Sequence, residues 1–366
     1  MQQRHTEYQS WSDIKSISSF SIRYSDSSAT AAEIYGNNQN QVAITIQFLA
    51  TDADDNILNL SPSDILSNTA LVDYITGEKI NYKSYKWNDE PWYYTNEKND
   101  YCNPIQYDDA SANKETSKDP EGYLEIVYYL YWSTSTSDKS NSKMIAACLE
   151  NINGGNYTTC LHDIDPGWVD ITAIPQKSYT TDDLLLTTST QDNGTFSCTN
   201  YYWEIDTSNS QNNGFFIFDF NLTAAMSTEL IYKTGSDKIS VTSNYPGSTV
   251  YSSLHHITHD FSCNYYTHVG ILWQKGGKTT AQAPAFAQYP NADPITGMFP
   301  TVINDRQHAM CLTSNDQKTQ DSVARYANEV YTLNKNLTIY DQFGNSGYFN
   351  FTVSDWENPV LNNNHV

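Results

Sequence analysis

The sequence predicts an all-β protein built as two tandem β-sandwich domains, and three observations predict it. Tyr, Thr, Ser and β-branched residues fill the chain, with 28 Tyr and 13 Phe among 366 residues, the composition of pleated, half-buried strands. Short runs alternate apolar with polar residues, the period of a strand with one wet face. Helix patterns are few and short. The length suits two domains of about 100–200 residues each.

Taken in order, Gln41–Asp52 (QVAITIQFLATD) is apolar and β-branched and ends in an Asp/Asn turn. Ser61-Pro62-Ser63-Asp64 starts a turn of helix, with Ser61 as cap and Pro62 in the first helical position. Leu71–Tyr82 reads as a hairpin around Thr76-Gly77. Trp87–Glu121 carries no clear strand period and is expected to be a long aromatic and acidic loop. Tyr123–Ser133 is a long Tyr-rich strand, and Lys143–Leu149 and Trp168–Ile174 are shorter ones. Ile174–Asp183 (IPQKSYTTDD) is a polar, Pro-containing linker, so the expected domains are 1–178 and 179–366. Beyond it, strands are expected over Thr195–Asp206, Gly214–Leu222, Leu230–Lys233, Thr249–Thr258, Phe261–Trp273, Leu337–Asp341 and Tyr348–Val353. A short helix is expected over Gln320–Glu329.

Two segments share one plan: ITIQFLATDADDNIL (44–58) and LTIYDQFGNSGYFNF (337–351) are each expected to run from a strand through an Asp-led turn with Asn into another strand. This hairpin resembles those of bacterial immunoglobulin-like domains of the invasin and intimin kind. The resemblance implies tandem immunoglobulin-like sandwiches serving adhesion or display. The 87–121 segment departs from that pattern.

The formal net charge of −22 sets a field that repels phosphate backbones and anionic lipid. Nucleic acid is therefore excluded as the expected partner. No apolar run approaches the roughly 18 residues of a membrane helix, and Met1–Glu7 has no apolar core of a Sec-type signal. The expected setting is extracellular or particle-associated. The six cysteines (102, 148, 160, 198, 263 and 311) lack any C-x-x-C pair. Their even number permits three disulfides, with buried free thiols as the alternative.

Four constellations bear on chemistry. Trp87, Asp89, Trp92, Tyr93, Tyr94 and Tyr101 gather aromatic faces and polar groups, which stack on and hydrogen-bond to sugars, or anchor protein contacts, or cover a core. His255, His259 and His268 are the candidate metal ligands, spaced unlike any zinc motif and read first as polar strand residues. Asp52, Asp54 and Asn56 offer oxygen ligands for Ca²⁺, but Ile57 and Ser63 stand where an EF-hand needs Gly and Glu, so a hairpin turn is the first reading. Lys275–Thr279 looks like the end of a phosphate loop, yet Leu272 occupies the position of its first Gly, and a tight turn fits better.

No nucleophile motif stands out, and no cofactor is expected apart from the Ca²⁺ alternative. Among carboxylate pairs, Glu90 and Glu125 are the two to inspect. The leading expectation is a non-enzymatic structural or display protein that self-associates in a particle or surface layer. The alternatives are a carbohydrate-binding adhesion protein, with a glycan or host surface protein as partner, and a β-sandwich glycoside hydrolase.

Overall fold

The computed structural model describes residues 8–83, 86–107, 122–133, 141–160, 167–192, 196–222, 249–250, 264–273, 280–284, 298–302, 306, 308–320, 332–354 and 359–364. The chain is all-β and divides into two compact units, Met1–Lys177 with Phe343–Asn345, and Ser178–Gln342 with Ser346–Val366.

The first unit holds β1 (Ser16–Tyr24), β2 (Ala31–Gly36), β3 (Val42–Thr51), α1 (Pro62–Asn68), β4 (Thr69–Asp73), β5 (Asn81–Tyr82), β6 (Trp92–Thr95), β7 (Gln106–Tyr107), β8 (Leu124–Trp132), β9 (Asn141–Ile152), β10 (Gly155–Thr158) and β11 (Val169–Pro175). They form two sheets. One has the order β1-β3-β8-β6-β5; the other runs β10-β9-β11-β2-β7, with β4 also paired to β9. Ile22, Ile44, Ile46, Phe48, Trp92 and Leu130 from the first sheet share one core with Ile34, Leu71, Ile145, Leu149 and Ile171 from the second. Alternation explains the set, since in β1 Phe20, Ile22 and Tyr24 are buried between less buried neighbours. A smaller cluster of Ala70, Val72, Ala146 and Cys148 lies on the other face of β4 and β9, with Tyr74 and Cys160 packed against it.

α1 forms as its sequence dictates. Ser61 caps it by accepting from the Asp64 N–H at 3.1 Å, and Pro62 opens it. The expected hairpin at 71–82 is only partly formed. Its tight turn is present, closed by Gly77 N–H donating to Asp73 O at 2.8 Å. The returning arm then crosses to the other sheet, where β5 pairs in parallel with β6.

In the second unit, β12 (Ser178–Tyr179), β13 (Leu184–Asp192), β14 (Phe196–Ile205), β15 (Ile217–Leu222), β16 (Thr249–Val250), β17 (Asn264–Trp273), β18 (Thr280–Pro284), β19 (Met298–Val302), β20 (Met310–Gln320), β21 (Thr332–Asp341), β22 (Ser346–Ser354) and β23 (Val360–Asn363) follow. One sheet has the order β12-β22-β21-β15, with β23 on β22; another runs β13-β14-β20-β17-β16; β18 and β19 pair alone. Trp203, Ile205 and Met310 from the second of these share a core with Ile217, Leu337, Ile339, Phe349 and Phe351 from the first. The linker expected at 174–183 contains the end of β11, all of β12 and a 3-10 turn at Thr181–Asp183. The expected strand at 230–233 and most of the expected helix at 320–329 lie outside the described residues; Gln320 itself ends β20.

Candidate functional site

A cleft of about 380 Å³ in the first unit is lined by Lys79, Tyr82, Trp87, Tyr94 and Glu150 among others, and Asn81 holds the turn that carries Trp87. Asn81 is wholly buried at the start of β5. Its Oδ1 accepts from the backbone N–H of Trp87 at 2.6 Å and of Asn88 at 3.2 Å, and its Nδ2 donates to Glu90 O at 2.6 Å. Asn88 Nδ2 donates to Lys79 O at 2.9 Å. One buried amide thus fixes the turn that presents Trp87, whose side chain is about half exposed, at 49%.

The Lys79 ammonium sits 4.4 Å from the centre of a Trp87 ring and 2.5 Å from Glu150 Oε1 on β9. A cation over an aromatic face holds both groups. Tyr82 and Tyr94 line the cleft, their rings 5.1 Å apart, and Tyr94 packs edge-on to Tyr128 at 4.9 Å. The Tyr82 hydroxyl donates to Asn96 Oδ1 at 2.8 Å. Burial pushes the Tyr94 and Tyr128 phenols far above their ordinary range, so both stay neutral hydrogen-bonding groups at any working pH. Ser67 and Thr69 complete a wall with aromatic faces, hydroxyls and one compensated ion pair.

The six aromatic-segment residues do not converge on one patch. Trp87 and Tyr94 line the cleft. The expected long loop is interrupted by β6, which carries Trp92 and Tyr94 into the core, at 1% and 3% exposure. Trp92 meets Trp132 edge-on at 5.0 Å. Tyr93 is buried and stacks on Tyr131 at 5.9 Å. Tyr131 lines a second hollow of about 600 Å³, with Gln41, Lys83, Glu97, Lys98 and Asn99. Asp89 is exposed and Tyr101 half-buried. Tyr101 O accepts from Asn40 Nδ2 at 2.9 Å, which ties its loop to the start of β3.

Lys79, Tyr82 and Glu150 escaped the sequence reading. The signal available was scarcity: with only 20 Lys and Arg in the chain, a lysine beside a Trp-rich turn was worth weighing.

The Glu90 and Glu125 pair is overturned. Trp92 pairs with Trp132, and the Ser133 N–H donates to Pro91 O, so Glu90 lies level with the end of β8 while Glu125 stands at its start. At about 3.3 Å per residue they are more than roughly 20 Å apart, against about 5–9.5 Å for paired glycosidase carboxylates. Each also has another partner, Glu125 with Arg23 at 3.0 Å and Glu90 with Lys143.

Asp52 folds its carboxylate back into its own turn, accepting from the Asp54 and Asn56 N–H groups, both at 2.9 Å, and from Asn56 Nδ2. The Asn56 side chain foremost holds the Asp52 carboxyl below its usual range. This is the turn geometry expected of Asp-x-x-x-Asn. Among the described residues, no three His, Cys, Asp or Glu side chains are grouped to hold a metal. His255, His259 and the Lys275–Thr279 turn lie outside the described residues, and His268 is a position on β17 opposite Asp316. Cys102, Cys148 and Cys160 are free thiols. Burial pushes the Cys102 thiol up to about 11 and the Cys148 thiol up to about 12.

No family model matches the chain, and no curated protein matches it. Among solved structures it is similar to the C-terminal domain of the Streptococcus pyogenes antigen I/II-family protein AspA, at 9% identity over 94% of this chain and 99% of that one, with a TM-score of 0.21. It is also similar to the collagen adhesin CNA from S. aureus, at 9% identity over 98% and 97% of the chains, with a TM-score of 0.14. Neither superposition is close enough to place the chain in a family. No helix among the described residues is long and apolar enough to cross a membrane.

Proposed function

We propose that this chain is a non-enzymatic adhesion or display protein whose first unit binds a carbohydrate in the Trp87 cleft. One observation carries the reading: Trp87 is half exposed yet held by the Lys79 ammonium against its ring and by Asn81 at its backbone N–H, in a cleft also lined by two tyrosines and hydroxyls. A pre-positioned aromatic face beside a few fixed polar groups, in a volume within the range of small-ligand sites, suits the apolar face and hydroxyl rim of a sugar. The separation of Glu90 from Glu125 removes the support for a glycosidase.

Titration of the full chain against a broad panel of glycans, followed by Trp fluorescence and calorimetry, tests it. A binding sugar is expected, with Trp87→Ala weakening it at least tenfold, a loss of about 1.4 kcal/mol. Trp87→Ala binding as tightly as the parent, or silence across the panel, would end this reading and turn attention to a protein ligand.

A second reading, self-association in a particle or surface layer, has one specific observation in its favour. Leu185 and Leu186 are 46% and 44% exposed on an outermost strand of the second unit.

A further inference from the structure

We propose that a second copy of this chain pairs, antiparallel, with the outer edge of β13 about a two-fold axis through Leu186. The proposal rests on the self-association reading and names its site.

β13 is the outermost strand of its sheet and pairs residue for residue with β14, from Leu184 opposite Ile205 to Asp192 opposite Ser197. Among the described residues no strand pairs with its other side. At about 3.3 Å per residue it presents an edge roughly 30 Å long. Such an edge is a template for another strand unless charge, proline, a bulge or shortness guards it. The other described edges are guarded or shorter: β23 has four residues, and β10 has four with a register shift between Gly155 and Tyr157. β1 carries Arg23 and a register shift between Ile17 and Ser19. β15 carries Asp219, and β18 and β19 contain Pro284 and Pro300. β5, β7, β12 and β16 are two residues long. Residues 184–191 (LLLTTSTQ) have no charge, proline or glycine.

Charge decides what can dock there. Two copies at −22 each repel over most of their surface, and the uncharged run of β13 is where a like-charged chain can approach. The acidic neighbour on β14, Glu204, stands opposite Leu185 and is paired by Arg306 at 3.0 Å. Leu185 and Leu186 are adjacent in the strand and so point to opposite faces, which lets both faces of a joined sheet gain apolar cover.

Register follows from the flanking acids. Pairing centred near Thr187 would bring Asp182 or Asp183 across from Asp192, and like charges directly opposite destabilise. Centring on Leu186 sets Leu186 against itself, Leu184 against Thr188, Leu185 against Thr187, and Asp192 against Thr180. An antiparallel pair of identical strands closes with two-fold symmetry and uses up the β13 edge of both copies, leaving only the two-residue β16 at the outer ends, so the product is a dimer.

Light scattering after size exclusion, over a range of concentration, tests this on the full chain. The parent should move from 41.4 kDa toward twice that mass as concentration rises. Leu186→Asp should raise the dimer dissociation constant at least tenfold with an unchanged circular dichroism spectrum and unchanged glycan binding. Leu186→Cys should yield a covalent dimer on mild oxidation, well beyond any formed by the parent's own cysteines. A parent that stays monomeric throughout would overturn both this proposal and the self-association reading. A dimer unmoved by Leu186→Asp, or Leu186→Cys crosslinking no better than the parent, would overturn the β13 site and leave assembly to another surface.

Discussion

Lys143 shows how much one side chain can hold. It sits on β9 with only 9% of its side chain exposed, 2.6 Å from Asp73 Oδ2 and in contact with Glu90. Burial works against both charges. For Asp73, the hydrogen bonds from Lys143 and from the Thr76 and Ile75 N–H groups outweigh burial and bring its carboxyl below the usual range. For Lys143, hydrogen bonds to Asp73 and Glu90 outweigh burial and raise the ammonium above its ordinary 10.5. The linkage has two signs. The depressed Asp73 contributes stability that is present above the ordinary carboxylate range and is lost as pH falls through its lowered value. The raised Lys143 contributes stability that is present below 10.5 and is lost as pH rises through its raised value. Lys143→Met should therefore cost about 2–4 kcal/mol at neutral pH, because it strands two carboxylates near each other. Denaturant titrations of parent and variant should converge as pH falls through the lowered Asp73 value; a gap that persists in stronger acid would mean that packing, not charge, is responsible. None of this was legible beforehand, since Asp73, Glu90 and Lys143 are distant in sequence.

β6 is the element where reading and structure part most. WYYT is four residues long and aromatic on both faces, so no period of two shows in its hydropathy, and the flanking Asn and Asp residues look like loop. Two tryptophans five residues apart consequently have opposite roles. Trp92→Ala should cost about 3–5 kcal/mol, as for other buried large-to-small changes. Trp92→Phe should cost far less, because the buried Trp92 Nε1–H has no acceptor among the described residues. Trp87→Ala should leave the melting temperature nearly unchanged. Thermal melts of the three variants check this ranking, and a destabilised Trp87→Ala would recast Trp87 as a packing residue. β3 and β8 were legible because their apolar runs are long. β1 was not, because serines fill its outer positions and the shift between Ile17 and Ser19 breaks its alternation.

At the scale of the whole chain, the all-β class follows from local periodicity, while the partners of each strand do not. Among the described residues, the larger hydrophobic core of each unit shares no residue with that of the other, one containing Phe48 and Trp92 and the other Trp203 and Phe351. Scanning calorimetry is expected to resolve two transitions, with Trp92→Ala lowering one and leaving the other in place; a single transition displaced as a whole would show that the two cores melt together. The cleft depends on the same long-range pairing, since Lys79 meets Glu150 only once β9 has joined its sheet.

The parallel pairing of β2 with β11, which sets Ala31 beside Asp170, also orders events during synthesis. These strands are nearly 140 residues apart, so a ribosome adding about 5–20 residues per second makes β2 roughly 7–28 seconds before its neighbour exists. Through that interval the emerging chain holds Ile34 and its companions without their sheet. β2 therefore completes its place in that sheet only after Pro175 has been made. A chaperone's footprint on nascent chains should accordingly lift only after Pro175 has left the exit tunnel.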